Sequence, residues 1–253
     1  MRPLLYYTGN MGFCANLNAL IKVIDYCKDR ELHVCCDYGM HGNLEDYFEF
    51  PEGLHFVKGF FPPGYLMADH PKYDVCHPYW DEPNPTLALY DEINSIQVSF
   101  ERQREIVQSW KPKIKISPPC EKYDAVHIRR GDALTSGEGA MYHHANEYVQ
   151  KTTLNDVFVM SDDFRVISEI PRKVHHMIPE GETGNWSTPN YVTKQGEQPV
   201  FMFQSHEKKK QITERLVQEM YIAANSETFV HECSSVAHFI KLIHKNPERC
   251  ISL

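Results

Sequence analysis

The chain has 253 residues, a formal net charge of −8 and 42% hydrophobic residues. This length and apolar content are typical of one large or two small α/β domains and argue against disorder. The acidic balance argues against nucleic-acid binding, which usually needs a basic face. No apolar run approaches the roughly 20 residues that a membrane span needs.

The first residues show no signal-peptide pattern. The eight cysteines are scattered and form no Cys-x-x-Cys pair. Reduced thiols are therefore expected, and with them a cytoplasmic protein of bacterial or viral origin.

The first 119 residues predict a Rossmann-like domain on the acceptor side. A strand, a glycine-bearing turn, a helix and a second strand form a βαβ unit, over residues 3–7, 9–13, 16–30 and 32–36. A long loop, a helix and a connector follow at 60–90, 93–110 and 113–120.

Residues 120–253 repeat this alternation and predict a second Rossmann-like domain, which binds the nucleotide sugar. Strands are predicted at 123–128, 156–161, 173–178 and 227–230. Helices are predicted at 163–170, from Ser205 to about Ala224, and from Ser234 onward. Alternating strands and helices predict parallel sheets, so we expect two domains that face each other across a cleft.

The most informative segment is the end of the strand at 123–128, which leads into Arg129, Arg130 and Asp132. Two guanidiniums at the carboxyl end of a parallel strand form a fork of donors suited to a diphosphate. His127 and Arg129 share one face of the strand and Arg130 takes the other, so one arginine can bind phosphate while the other pairs with an acid. The segment predicts a phosphate-bearing substrate, with a surface salt bridge as the alternative.

Two more polar turns follow strands of this domain. Ser161, Asp162 and Asp163 can accept ribose hydroxyls, or cap the next helix. Ser234 and Ser235 open the last helix, where hydroxyls and N–H groups bind anions; ordinary capping is again the alternative. Because the carboxyl ends of parallel strands meet at one edge, we expect all three turns to line one pocket.

The sequence predicts neither a metal ion nor a cofactor. The pairs His143-His144 and His175-His176 invite a metal hypothesis, but neighbouring side chains on a strand point in opposite directions. The chain also lacks Asp-x-Asp, the pattern with which single-domain metal-dependent sugar transferases hold Mn²⁺. Arginine and helix N-termini are the expected alternative for neutralising a diphosphate.

Four segments resemble, in chain order, the motifs of one enzyme superfamily. Residues 127–132 read His-Ile-Arg-Arg-Gly-Asp and match a His-x-Arg-Arg-x-Asp motif. Residues 157–163 form a strand that ends in two aspartates, and residues 227–235 form a strand that leads to two serines. Residues 9–13 occupy the place of a glycine loop. The chain thus resembles the fucosyltransferase superfamily that includes α1,2-, α1,6- and protein O-fucosyltransferases.

This resemblance implies a GT-B fold and an inverting, metal-independent transfer of fucose from GDP-fucose. It implies that one arginine holds the β-phosphate, with Arg130 favoured over Arg129 by motif position. It also implies substrate contacts from Asn10, Gly12 and Phe13 in the glycine loop. Another donor, such as UDP-xylose or GDP-rhamnose, stays open.

In this mechanism the leaving diphosphate gains charge, which an arginine, Ser234 and Ser235 stabilise. An inverting reaction also needs a base on the acceptor side, and the 60–90 segment offers Asp74 and Asp81 among other acids and histidines. The expected acceptor is a glycan hydroxyl. The alternatives are a non-catalytic nucleotide-sugar or glycan-binding protein, and a metal-dependent phosphohydrolase that uses Asp162, Asp163 and histidines.

Overall fold

The chain forms two compact units, Met1–Lys113 and Ile114–Leu253, each with a parallel sheet. The computed structural model describes residues 3–7, 12–28, 30–35, 43–57, 74–76, 85–130, 143–179 and 205–253. The predicted α/β class is confirmed, and the division between the units falls at the start of the predicted connector.

The sheet of the N-terminal unit has four parallel strands in the order β4-β2-β1-β5. These strands are β1 Leu4–Tyr7, β2 Leu32–Cys35, β4 Leu54–Val57 and β5 Asp74–Cys76. Helix α1, Phe13–Tyr26, joins β1 to β2 and buries Leu17, Leu20 and Ile21, because these residues recur at helical spacing. The predicted βαβ unit is therefore confirmed, although its helix begins at Phe13.

Two predictions for this unit were wrong. The 60–90 segment is not all loop, because it contains β5 and the start of helix α2, Pro85–Ser95. The helix predicted at 93–110 is the end of α2 followed by α3, Phe100–Gln108. Ser99 begins α3, since its hydroxyl accepts a hydrogen bond from the backbone N–H of Arg102 at 3.2 Å.

A short antiparallel pair was not predicted. Strand β3, Phe48–Glu49, pairs with β6, Lys111–Pro112. The backbone N–H of Lys113 extends the pairing by donating to the Tyr47 carbonyl at 2.8 Å.

The sheet of the C-terminal unit has five parallel strands in the order β11-β10-β7-β8-β9. These are β7 Asp124–Ile128, β8 Val157–Ser161, β9 His175–His176, β10 Phe229–His231 and β11 Cys250–Ser252. The strand predicted at 173–178 is reduced to two residues, and β11 was not predicted. Every residue of β7 and β8 is buried, as is usual for parallel strands covered on both faces.

Helices cover both faces of this sheet. On one face, Val126, Val159 and Val230 form a cluster with Tyr148 and Val166, which belong to helices α4, Ala145–Gln150, and α5, Val166–Glu169. On the other face, helices α6, His206–Ala224, and α7, Ser235–Ile243, pack together. Of the helices in the described part of the chain, none is long and apolar enough to cross a membrane.

Candidate functional site

The candidate site lies at the carboxyl edge of the C-terminal sheet. Strands β7, β8 and β10 end at this edge, and their register pairs His127 with His231 and Ile128 with Ser161. The residues that follow the three strands therefore meet at one edge, as the sequence predicts.

Arg130 is anchored inside the protein. It is only 3% exposed, and its Nη2 donates to the His143 carbonyl at 2.7 Å and to Glu169 Oε2 at 3.3 Å. Its backbone N–H donates to Asp162 Oδ1 at 2.8 Å. Arg130 thus ties the end of β7 to the segment before α4, to α5 and to the end of β8.

Arg129 has a different position, because it is half-exposed. Its charge contributes to lowering the pKa of His127 and opposes the rise in the pKa of Glu232, so its guanidinium lies near both groups. Burial is the main reason that the pKa of Glu232 lies above its usual range, and Arg130 and His143 also face this carboxyl. The edge therefore carries two guanidiniums beside one half-buried carboxyl group.

Two imidazoles lie side by side on the sheet face covered by α6 and α7. Burial lowers the pKa of His127 to about 3, with smaller contributions from His231 and Arg129, and burial also lowers the pKa of His231. Both rings are therefore neutral at physiological pH. His231 Nδ1 lies 2.9 Å from the Glu232 carbonyl, which assigns the proton of this ring to Nδ1.

Several buried polar atoms at this edge, among them one on each of three neighbouring side chains, make no hydrogen bond within the described part of the chain. These three are His127 Nδ1, His231 Nε2 and Glu232 Oε1. Leaving such a group without a partner costs about 1–3 kcal/mol. Clusters of buried, unsatisfied polar atoms are typical of places where a ligand supplies the missing partner.

The polar side chains of the turn after β8 already make hydrogen bonds with the protein itself. Ser161 accepts from the backbone N–H of Asp163 at 3.1 Å, and Asp162 accepts from Arg130. Burial would raise the pKa of Asp163, but hydrogen bonds from Arg165 outweigh it and hold the pKa below its usual value. These contacts favour the capping and bracing alternative for Ser161 and Asp163.

The two serines at the start of α7 have different positions. Ser234 is the N-cap, and its hydroxyl accepts from the backbone N–H of Ala237 at 3.0 Å. Ser235 is the first residue of the helix and is exposed. The N-terminus of α7 follows β10 directly, so it lies at the same edge as Arg129.

The residues of the N-terminal unit that the sequence predicts to bind substrate or to act as the base lie in positions less suited to those roles. Phe13 is completely buried and packs edge-on against Tyr47, with ring centroids 5.5 Å apart, which is the environment of a core residue. Gly12 is the N-cap of α1. Asp74 begins β5 and pairs with Leu4, so its backbone lies at the amino edge of that sheet. Three other predicted residues lie outside the described part of the chain: Asn10, Asp81 and Asp132.

Sequence reasoning missed four residues at this edge: His143, Glu169, His231 and Glu232. The last two were visible as polar residues at the end of a buried strand, the same pattern that identified His127 and Arg129. His143 entered only through the metal hypothesis for the His143-His144 pair and Glu169 not at all, because folding brings both to Arg130 from other elements.

Solved structures resemble this architecture over almost its whole length. The crystal structure of NodZ α-1,6-fucosyltransferase co-crystallised with GDP matches with a TM-score of 0.56 and 14% identity, over 96% of this chain and 93% of that chain. The structure of fucosyltransferase NodZ from Bradyrhizobium matches with a TM-score of 0.57 and 14% identity, over 96% and 94%. This chain has a GT-B fold.

The GT-B fold confirms the fold class that the motifs imply. POFUT1 in complex with GDP-fucose aligns with a TM-score of 0.49 and 10% identity, over 100% of this chain and 97% of that chain. No protein-family model matches the sequence, and no curated protein matches it either. The similarity to the two NodZ structures therefore establishes the GT-B fold, and the function has to be argued from the site.

Proposed function

We propose that this GT-B protein is a glycosyltransferase that moves a sugar from a nucleoside diphosphate to a glycan hydroxyl. One observation carries the proposal. At the carboxyl edge of the C-terminal sheet, the half-exposed Arg129 lies near His127 and Glu232, and these two residues and His231 have buried polar atoms without a hydrogen bond in the part of the chain that the structure describes. In open α/β sheets this edge is where ligands bind.

The two arginines take separate roles in this proposal. Arg130 already donates to His143 and Glu169, so it holds the edge in shape. Arg129 then takes the role of binding the β-phosphate, which motif position alone assigned to Arg130. The N-terminus of α7 adds backbone N–H groups and the positive end of a helix dipole.

These groups match the needs of the reaction. When the glycosidic bond breaks, negative charge grows on the leaving diphosphate, and fixed donors stabilise that charge more in the transition state than in the bound substrate. A guanidinium and a helix N-terminus provide this stabilisation without a metal ion. We therefore infer a metal-independent transfer, and we propose that it is inverting, as the resemblance to the fucosyltransferase superfamily implies.

GDP-fucose is the donor we propose. The support is the His-x-Arg-Arg-x-Asp segment at 127–132 and the structural similarity to a fucosyltransferase co-crystallised with GDP. UDP-xylose and GDP-rhamnose are the alternative donors, because the groups at the edge bind the diphosphate that all three share.

An inverting transfer needs a base that takes the proton of the acceptor hydroxyl. Of the two predicted carboxylates, Asp74 begins a parallel strand and lies at the amino edge of its sheet, whereas ligands bind at carboxyl edges. We therefore propose Asp81 as the base. The proposed setting is the cytoplasm, with a nucleotide sugar as donor and a glycan as acceptor.

Thermal-shift measurements with GDP, UDP, dTDP and their sugars test the donor. A ligand present at 100 times its Kd adds about 2.7 kcal/mol to the stability of the native state, which raises the Tm of a chain of this size by about 5–10 °C. We expect GDP and GDP-fucose to give the largest rise. A rise with UDP alone would overturn the GDP assignment, and no rise with any diphosphate would overturn the proposed site.

Release of free nucleotide from the donor that binds separates an enzyme from a binding protein. The donor is incubated with a pool of glycan acceptors, with and without EDTA. We expect nucleotide release that EDTA leaves unchanged. Binding without release in every acceptor mixture would favour the non-catalytic alternative, and release that EDTA abolishes would favour a metal-dependent phosphohydrolase.

A further inference from the structure

Three metal-ligating side chains of different chemistry meet at the amino edge of the C-terminal sheet. Cys120 lies in the connector before β7, Asp156 directly precedes β8, and His175 begins β9. The sheet register pairs His175 with Phe158, and the backbone N–H of Asp124 donates to the Asp156 carbonyl at 3.0 Å. Neighbouring strands thus fix the backbone at two of the three positions.

The potential ligand atoms of this trio all lie within 4.8 Å of one another. His175 Nε2 and Asp156 Oδ1 are 3.2 Å apart. Ligand atoms bound to one zinc ion at about 2.0–2.3 Å in a tetrahedron lie between 3 and 4 Å apart, so small side-chain rotations suffice to close the site. Asp156 is exposed, and Cys120 and His175 are half-exposed, so an ion has access from solvent.

The donor set selects the metal. A thiolate, an imidazole and a carboxylate are the three ligand types that zinc uses, whereas magnesium and calcium take oxygen ligands. A His–Asp ion pair by itself would be ordinary at a sheet edge. Here the Cys120 thiol, from a separate segment, lies beside the same pair. An ion pair alone does not need a thiol there.

The connector that carries Cys120 is not fully packed against the sheet. An open cavity of about 420 Å³ has Ser117 and Pro119 of the connector on one side, and Phe158, His175 and Ile222 on the others. Side-chain packing therefore does not fully fix this segment. A metal ion bound by Cys120 and His175 would fasten the connector across the mouth of this cavity.

We propose that Cys120, Asp156 and His175 bind one Zn²⁺ ion that clips the connector to the sheet, with water as the fourth ligand. On binding, the Cys120 thiol gives up the proton that it now directs at the Lys122 carbonyl, 3.3 Å away. That proton passes to solvent and the sulfur bonds to zinc. The site is separate from the candidate donor site, since the five residues of β8, at about 3.3 Å each, put about 15 Å between the two edges.

Cobalt substitution tests the site in the full chain. The protein is stripped with chelator, kept reduced and titrated with Co²⁺, which reports a bound thiolate by a charge-transfer band in the near ultraviolet. We expect one equivalent of Co²⁺ to give this band and Zn²⁺ to displace it. We also expect Zn²⁺ to raise the Tm of the stripped protein.

Matched variants identify the ligands. Cys120→Ser should remove the band and the zinc-dependent rise in Tm, and Cys250→Ser, a half-buried thiol of the same unit, should leave both unchanged. Losing even an outer-shell partner weakens metal binding about 10–100-fold, so Asp156→Asn and His175→Gln should each weaken zinc binding by at least about tenfold. The Tm of each variant without metal shows whether it is folded.

Three results would overturn the proposal. They are no band in the unmodified protein, a band that survives Cys120→Ser, and zinc binding that neither Asp156→Asn nor His175→Gln weakens. None of these bears on the proposed transferase, because the zinc site does not rest on it. Nucleotide binding should be the same in the stripped protein, the zinc-loaded protein and Cys120→Ser.

Discussion

The two edges of the five-stranded sheet are built from the same strands and differ in how they treat polar groups. At the amino edge, buried Asp124 accepts hydrogen bonds through Oδ2 from the backbone N–H groups of Thr153 and Leu154, at 2.5 and 2.7 Å, whereas its Oδ1 accepts none within the described part of the chain. At the carboxyl edge, His127 and Glu232 keep polar atoms without partners in the described part of the chain. One oxygen of Asp124 thus anchors two backbone groups and contributes stability, whereas the polar atoms of His127 and Glu232 are left at a place that can bind a ligand.

Exchanging the two arginines of the carboxyl edge for alanine should give the largest effects. Arg129→Ala should lower kcat/KM for donor turnover by about 10²–10³-fold, the usual cost of losing one transition-state donor, with little change in Tm. Arg130→Ala should instead lower Tm, because Arg130 holds His143 and Glu169. Turnover and melting are measured on both variants.

Arg249→Ala is the control for these variants, since Arg249 lies on the surface of the same unit and is exposed. It should match the unmodified protein in both measurements. If Arg129→Ala keeps normal turnover while Arg130→Ala, still folded, loses it, the roles assigned to the two arginines are reversed.

At the amino edge, Asp124→Ala should be destabilising. It removes the carboxylate that accepts from two part-buried backbone N–H groups, and since a hydrogen bond to a charged group contributes about 1.5–3 kcal/mol, we expect a loss of about 2–4 kcal/mol in the free energy of unfolding. Urea denaturation measures this loss. A variant that unfolds at the same urea concentration as the unmodified protein would contradict the importance of this network.

The carboxyl edge should make stability depend on pH. Folded His127 stays neutral down to a pKa of about 3, whereas the unfolded chain takes up this proton near 6.5. The unfolded state therefore binds more protons between these values, and stability falls as the pH drops below 6.5. Between pH 7 and pH 5 the loss from this one residue should be about 2 kcal/mol.

His127→Gln removes the titrating group and should flatten this dependence. Urea midpoints at pH 7, 6 and 5 compare the variant with the unmodified protein. His231→Gln should act in the same direction, because the pKa of His231 is also lowered by burial. Equal slopes in the unmodified protein and in both variants would show that the buried imidazoles are not the cause.

The smallest expected effects distinguish the two serines of α7. Ser234→Ala removes the N-cap and should cost about 1 kcal/mol of stability. Ser235→Ala changes an exposed residue and should stay within about 0.5 kcal/mol, while weakening the binding of the nucleotide diphosphate. If Ser235→Ala leaves that binding unchanged, only the backbone N–H groups of α7 remain as candidate ligands.

Local patterns predicted much of this fold. The apolar run at 123–128 and the polar residues after it identified β7 and its functional edge, because a buried parallel strand is apolar up to the point where it ends. The start of α6 was also predicted from Ser205, whose hydroxyl accepts from the backbone N–H of Lys208 at 3.2 Å.

The errors arose where tertiary contacts determine where a helix or strand begins and ends. Apolar spacing runs from Ile93 through Ile96 to Phe100, so periodicity joined two helices that Ser99 separates. Within the described part of the chain, the strand predicted at 173–178 has β8 as its one neighbour, and two of its residues pair with it.

The residues of the candidate sites also fall into those that local patterns predict and those that only tertiary contacts bring together. His127 and Arg129 lie two residues apart at the end of one strand, so the sequence pointed to them directly. The position of Arg130 depends on Glu169, and the proposed zinc ligands come from three segments far apart in the chain. No spacing in the sequence predicts that these residues meet, because only the folded sheet brings them together.

The antiparallel pair of β3 and β6 has a practical consequence for anyone who divides the gene. The Lys113 ammonium donates to the Glu45 carbonyl at 2.7 Å, and Trp110 packs near Phe48, with ring centroids 6.1 Å apart. A fragment that stops before Trp110 would lose both contacts and uncover aromatic surface. A fragment that contains the first unit alone should therefore end after Lys113, so that it keeps the pairing of β6 with β3.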